Sequence, residues 1–307
     1  MKTVVERISM FSLDHESGSS ELAVQAVEIL DAVAGKFDDD RDAHAAVRTA
    51  ANIFLAQPSI APVLTAANRF SLFIQDAGGR GASLQKAWRE WATGRQKKLE
   101  FAAANGAEAI GRAQRGPRVV TFSYSSLVIR ALVARSRAGE QLSVTVGESR
   151  PLLEGRKTAS RLTEAGIAVA LCVDAALFDH LERADLVVIG ADGIYGGRVL
   201  SKIGSAPLLT LASDHGVKIA VVGAEEKIVP RGLEAFLRFP SHDRNEIFPG
   251  APKGLVVENR YFDMTDIRLV DWFSTETGVY CGADVRGDIS NLPVSEMLVD
   301  VLEKQEG

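Results

Sequence analysis

Cysteine is scarce. Only Cys172 and Cys281 occur in 307 residues, with no CxxC between them. That argues against a disulfide framework and predicts two free thiols in a reducing, cytosolic setting. The five histidines (His15, His44, His180, His215 and His242) form no HxH, HExxH or Cys/His pairing, so no structural metal is expected. Long apolar runs are absent too. None approaches the roughly 18 residues that span a bilayer, and the opening stretch MKTVVERISMFS lacks the apolar core of a secretory signal. Neither a membrane nor export is expected. A positive surplus is also missing: the net charge is −5 and the pI about 5.7. The sugar-phosphate backbone of a nucleic acid is therefore a poor candidate partner. Internal repeats and low-complexity segments do not occur.

What is present suits a soluble globular protein of one large or two smaller domains, with 46% apolar and 24% charged residues. Residues 20–36 place Leu22, Ala26, Ile29, Leu30 and Val33 near helical spacing after a serine-rich cap region. Residues 41–56, 60–76 and 83–105 repeat that pattern, punctuated at Pro58 and Gly78-Gly79. The character changes at Arg115-Gly116-Pro117. Short apolar runs at 119–122, 142–146, 167–173, 186–189 and 219–222 then alternate with helical segments near 125–137, 155–165, 175–183 and 202–215. Strand, helix, strand at this spacing predicts βαβ units on a parallel sheet covered on both faces. The expected fold is thus α/β, with a helical N-terminal domain over 1–116 and a Rossmann-like parallel-sheet domain over 117–307.

The richest stretch for chemistry is VVIGADGIYGGRVLSK, residues 187–202. An apolar strand delivers Asp192 to its carboxyl end, where ligands of open parallel sheets bind. A glycine-rich turn follows, then Ser201-Lys202-Ile203-Gly204 at the expected start of a helix, a place suited to a phosphate. Asp192 reads either as an acid, base or hydroxyl acceptor, or as a carboxylate capping the glycine turn. Lys202 would neutralise phosphate; a helix dipole disfavours a lysine in the first turn, which leans toward a ligand. Arg150, in Gly147-Glu148-Ser149-Arg150-Pro151, reaches the same surface and reads as an anion ligand or a plain loop arginine. Gly155-Arg156-Lys157-Thr158 is not a nucleotide P-loop, because Arg156 separates the glycine from the lysine. Ser123, in Thr121-Phe122-Ser123-Tyr124-Ser125-Ser126, has no histidine nearby in sequence and no GxSxG elbow, which speaks against a serine nucleophile.

Taken together, TFSYSSLVIRAL (121–132), ESRPLLEGR (148–156), Asp174, GADGIYGGRVLSKIGSAPL (190–208), Phe262-Asp263 and Thr275-Glu276-Thr277-Gly278 resemble one family. It unites the alpha, beta and delta subunits of initiation factor two-B with methylthioribose-1-phosphate isomerase and ribose-1,5-bisphosphate isomerase. The isomerases use a cysteine and an aspartate as their catalytic pair. The resemblance carries the aspartate onto Asp192 and the cysteine onto Ser123. A thiol, with an ordinary pKa of about 8.5, is far easier to ionise than a hydroxyl. The family's Asn-Gly and Asn-Lys pairs stand here as Gly196-Gly197 and Ser201-Lys202, and an upstream Arg-Pro as Gln57-Pro58.

The resemblance implies a binder of a phosphorylated sugar or nucleotide, with aldose–ketose isomerase activity on a pentose 1-phosphate as its enzymatic form. Asp192 and Ser123 would do the chemistry. Arg150, Ser201, Lys202 and the weaker candidate Lys227 would hold phosphate, with Gly196 and Gly197 admitting it to the backbone. The alternative is a non-catalytic regulatory subunit like the alpha subunit of the initiation factor. No metal or redox cofactor is implied, and the family suggests a homodimer or higher homo-oligomer.

Overall fold

The computed structural model describes residues 2–306 apart from 15–16, 40–41, 79, 115 and 283–291; of the sequence landmarks, His15, Gly79 and Arg115 lie outside the described residues. The chain opens with helices α1 (Val4–Ser12), α2 (Ser19–Ala34), α3 (Ala43–Ala56), α4 (Ala61–Ala77) and the long α5 (Gly81–Gly111). Alanine and leucine at helical spacing bury one stripe of each: Leu22, Ala26 and Leu30 of α2 meet Val47, Ala50 and Phe54 of α3 and Val63, Leu64 and Phe70 of α4. Trp88 anchors this layer, edge-on to Phe70 at 5.0 Å between ring centres. Fully burying one such large apolar side chain contributes about 1.5–3 kcal/mol. The last helix, α9 (Glu296–Glu306), returns to the same layer through Leu298 and Leu302.

Strands β1 (Arg118–Thr121), β2 (Ser143–Gly147), β3 (Ala168–Cys172), β4 (Leu186–Gly190), β7 (Lys218–Val222), β9 (Trp272–Thr275) and β10 (Gly278–Tyr280) form one sheet in the order β10-β9-β7-β4-β1-β2-β3. All neighbours run parallel except the β9–β10 hairpin. Helices α6 (Ser126–Arg137), α7 (Glu154–Glu164) and α8 (Ser205–Asp214) cross between strands. The second half of α5 also lies on the sheet; at Gly106 a β-carbon would come within 2.7 Å of Val222, so only glycine permits that approach. From β1 the chain steps one way to β2 and β3, then jumps back past β1 to β4. Between the carboxyl ends of β1 and β4 the sheet therefore opens a crevice.

The expected helices at 125–137 and 155–165 match α6 and α7, whereas residues 174–183 wind as 3₁₀ turns. The segment expected to be helical from residue 202 is corrected. Lys202 ends strand β6 (Arg198–Lys202), which pairs antiparallel with β5 (Gly193–Tyr195) and β8 (Phe262–Asp266), and α8 begins only at Ser205. Val199 and Leu200 are buried between these partners, and Gly204 turns the chain at φ +100° before the helix starts. Among the described residues no helix is long and apolar enough to cross a membrane.

Candidate functional site

The crevice between β1 and β4 opens into a cavity of about 420 Å³, with a recess of about 30 Å³ at its floor. Ser123, Asp192 and Lys202 line both; Ser201 and Lys227 line the recess. Five of the residues singled out in the sequence thus meet in one place. Arg150 lies apart, exposed, its guanidinium donating to the carbonyls of Glu246 and Ile247 at 3.2 and 3.3 Å. Gly196 and Gly197 also lie apart. They turn the β5–β6 hairpin at its tip, φ +56° and +72°, while Asp192 and Lys202 sit at its open end, about 10 Å away by strand rise.

Asp192 leaves the end of β4 and is fixed by its own backbone, whose N–H donates to Leu200 O at 2.8 Å. Among the described residues no donor bonds its carboxylate, so it does not cap the glycine turn. Lys227 stands on the same recess, fully buried, with Nζ 2.5 Å from Ser19 Oγ. Burial pushes its ammonium pKa down, opposed by the negative charges of Asp192 and Glu226. Glu226 itself is held by Arg95 through two bonds of 2.5 and 2.8 Å, which ties α5 to this wall.

Ser123 follows β1 with φ +65°, a backbone conformation costing about 1–3 kcal/mol for a residue with a side chain. Its surroundings over-determine it. Its N–H donates to Ser149 Oγ at 2.8 Å, and its carbonyl accepts from Thr158 Oγ1 at 2.7 Å. Ser149, itself at φ +66°, donates its N–H to Asp174 Oδ1 at 2.6 Å. At Gly155 a β-carbon would sit 1.8 Å from Gly147 O, so the start of α7 is pressed against this loop.

That pressure brings in a residue that the sequence did not single out. Glu154 Oε1 accepts the Ser123 hydroxyl at 3.1 Å and pairs with Lys202 Nζ at 2.6 Å. Glu154 lies in ESRPLLEGR, one residue before the required Gly155; only that adjacency marked it. Lys202 is 5% exposed and lies over the Tyr261 ring at 5.3 Å. Ser201 donates its hydroxyl to Gly190 O at 3.1 Å.

Two helix starts face the recess: Gly18 to Glu21 of α2 and Tyr124 to Leu127 of α6. First-turn N–H groups have no intrahelical acceptor and attract anions. The start of α8, the one expected to bind phosphate, is occupied instead: Asp263 accepts from Gly204 N and Ala206 N at 2.7 and 3.1 Å. Leu22, Ile60, Leu152, Leu153 and Phe262 give the outer cavity an apolar wall. Among the described residues no thiol lines the cavity. Cys172, raised in pKa by burial and by Asp174 and Glu148, ends β3, and Cys281 is exposed; both are free and neither lines it. Among the described residues no group of three or more His, Cys, Asp or Glu could hold a metal.

The sequence model of the initiation factor 2 subunit family matches residues 15–281. This chain belongs to that family. Among curated relatives, it is 33% identical to ribose 1,5-bisphosphate isomerase of Haloterrigena turkmenica, over 60% of this chain and 59% of that protein. It is 38% identical to methylthioribose-1-phosphate isomerase of Heliobacterium modesticaldum, over 52% of this chain and 48% of the relative. The chain therefore spans about three-fifths or less of the length of these relatives. Its fold is that of translation initiation factor eIF-2B of Pyrococcus horikoshii, at TM-score 0.78 and 22% identity over 91% of this chain and 96% of that one. The 5-methylthioribose 1-phosphate isomerase of the same organism superposes at TM-score 0.70 and 17% identity, over 98% and 88% of the two chains.

Proposed function

We propose that the crevice binds a pentose 1-phosphate and interconverts its aldose and ketose forms. One observation carries the reading: an unbonded carboxylate, Asp192, and two inward-facing helix starts share a single recess with the buried ammonium of Lys227. The phosphate sits on the first-turn amides of α2 and α6, which bind anions without a further cation. The sugar then lies between Asp192 and Ser123. An anomeric phosphate blocks spontaneous ring opening, so the ring oxygen needs a proton as its bond to C1 breaks. The Asp192–Lys227 couple supplies it: burial weakens the hold of Lys227 on its proton, and Asp192 relays it.

The far end of the sugar meets the outer cavity. Its cations there are already paired, Lys202 with Glu154 at 2.6 Å and Lys157 with Glu21 at 3.6 Å. Leu22, Ile60, Leu152, Leu153 and Phe262 form an apolar part of its lining, so a small apolar substituent on C5 suits that part better than a second phosphate. The test is to follow methylthioribose 1-phosphate and ribose 1,5-bisphosphate by NMR with purified protein. Ketose should form from the first at least tenfold faster; no ketose from either refutes the reading.

Ser123 in place of a thiol favours a second reading, binding without turnover by a regulatory subunit, and its mark is a ligand-induced rise in melting temperature with no conversion. A cytosolic setting and a symmetric homodimer belong to either reading. Exposed Leu171 and Val173 on and after edge strand β3 support an association surface.

A further inference from the structure

The isomerase reading leaves one half of the reaction without a residue. A proton must leave C2 of the sugar and return at C1, and Ser123 is too weak an acid to act as the base itself. Glu154 lies beside it on the same cavity. Oε1 is engaged twice, by the Ser123 hydroxyl and by Lys202 Nζ, whereas the buried Oε2 has no hydrogen-bond partner among the described residues. Buried polar atoms in folded proteins are rarely left unpaired, so an orphaned oxygen on a carboxylate whose residue lines the cavity asks for a reason.

We infer that Glu154 is the group that carries the proton between C2 and C1, with Ser123 and Lys202 as positioning residues that hold its carboxylate at the cavity; this rests on the isomerase reading above. In the first half, the Glu154 carboxylate takes the C2 proton and the C2–H electron pair becomes a C1=C2 bond. The bond from C1 to the ring oxygen breaks, and its pair leaves on that oxygen, which takes the proton from the Asp192–Lys227 couple. In the second half, the C2 hydroxyl returns a proton to that couple as the C2 carbonyl forms. The C1=C2 pair then collects the proton of Glu154 at C1. No oxidant, reductant or metal takes part, and every group ends as it began. Lys202 has a further task, because its ammonium offsets negative charge gathering on the enol as the proton moves.

The structure also explains why a serine is tolerated at 123. Its hydroxyl is a donor with one partner, Glu154, and its backbone is pinned at a positive φ by Ser149 and Thr158. Such a residue holds a neighbour in place rather than reacting.

The experiment measures ketose formation from methylthioribose 1-phosphate and ribose 1,5-bisphosphate. Wild-type, Glu154→Gln, Glu154→Ala and Ser123→Ala proteins are compared, with melting temperatures as the control for folding. Glu154→Gln should lower kcat by about 10²–10⁴-fold, while Ser123→Ala loses about tenfold or less. Glu154→Ala should regain turnover with added formate, which a merely structural role would not allow. A Glu154→Gln protein within threefold of wild type overturns this inference alone and leaves the isomerase reading standing. Should that variant fail to fold, a folded Glu154→Ala protein that gains no turnover with added formate overturns it equally. No turnover of either sugar by the wild type removes the isomerase reading and this inference with it.

Discussion

Lys202 Nζ lies 2.6 Å from Glu154 Oε1, at the point where the end of β6 meets the start of α7. The lysine is almost wholly buried and the glutamate about one-fifth exposed. Each charge therefore depends on the other for its place in the cavity wall, and the two elements that carry them are locked together there.

Removing one partner leaves the other charged and poorly solvated. Fully buried pairs broken in this way lose about 3–5 kcal/mol; the partial exposure of Glu154 brings Lys202→Met below that range. The double variant Lys202→Met/Glu154→Gln should recover part of the loss, because no unpaired charge remains. Urea denaturation of the two single variants and the double variant gives the coupling. Additive losses would mean that the pair does not act as a unit.

Asp192 has no hydrogen-bond donor among the described residues, so Asp192→Asn removes a reactive group without breaking a structural bond. The variant should keep its melting temperature within a few degrees and lose about 10²–10⁴-fold in turnover. NMR of the sugar products and a thermal melt check both halves. A large fall in melting temperature would return Asp192 to a structural role.

Lys227 makes stability depend on pH. Its folded-state pKa is pushed down by burial from the ordinary 10.5. Between those two values the unfolded chain binds a proton that the folded chain does not, so stability rises as pH rises through that window and falls as pH drops. Denaturant unfolding from pH 7 to 10.5 should show this slope for the wild type and lose it in Lys227→Met. An unchanged slope in the variant would assign it to other groups.

Two glycines in helices should respond in opposite ways to alanine. At Gly155, in the first turn of α7, an added β-carbon would sit 1.8 Å from Gly147 O, so Gly155→Ala must shift the helix and Glu154 with it. A marked fall in both melting temperature and turnover is expected. Gly94, inside α5, has nothing within 4 Å of an added β-carbon. There Gly94→Ala should stabilise by about 0.5–1 kcal/mol, since alanine loses less backbone freedom on folding. Thermal melts of the pair check the contrast.

Apolar periodicity showed most of the framework. The runs at 119–122 and 186–189 became the two strands that flank the crevice, and Asp192 was legible because it directly follows an apolar strand and precedes a glycine. Strand β6 was not. RVLSK is short and half polar, and its strand character comes from pairing with β5 and with β8, about 60 residues later in the chain. A strand made by a distant partner leaves little local signal. The same distance hid the role of Lys202, whose partner Glu154 lies 48 positions earlier and meets it only after the sheet has formed. Gly196-Gly197 misled because glycines serve a tight hairpin as well as they serve a phosphate, and here they turn the chain. The phosphate cradle proposed at the start of α2 was masked differently: Ser19 and Ser20 open an amphipathic helix and look like ordinary capping residues until the fold turns them toward β4.

The position of a bound phosphate tests the isomerase reading most directly. A crystal structure with methylthioribose 1-phosphate bound should show its phosphate on the first-turn amides of α2 and α6, with C1 and C2 between Asp192 and Glu154. A phosphate seated instead at Arg150 or at the Gly196-Gly197 turn, with the crevice left empty, would contradict it.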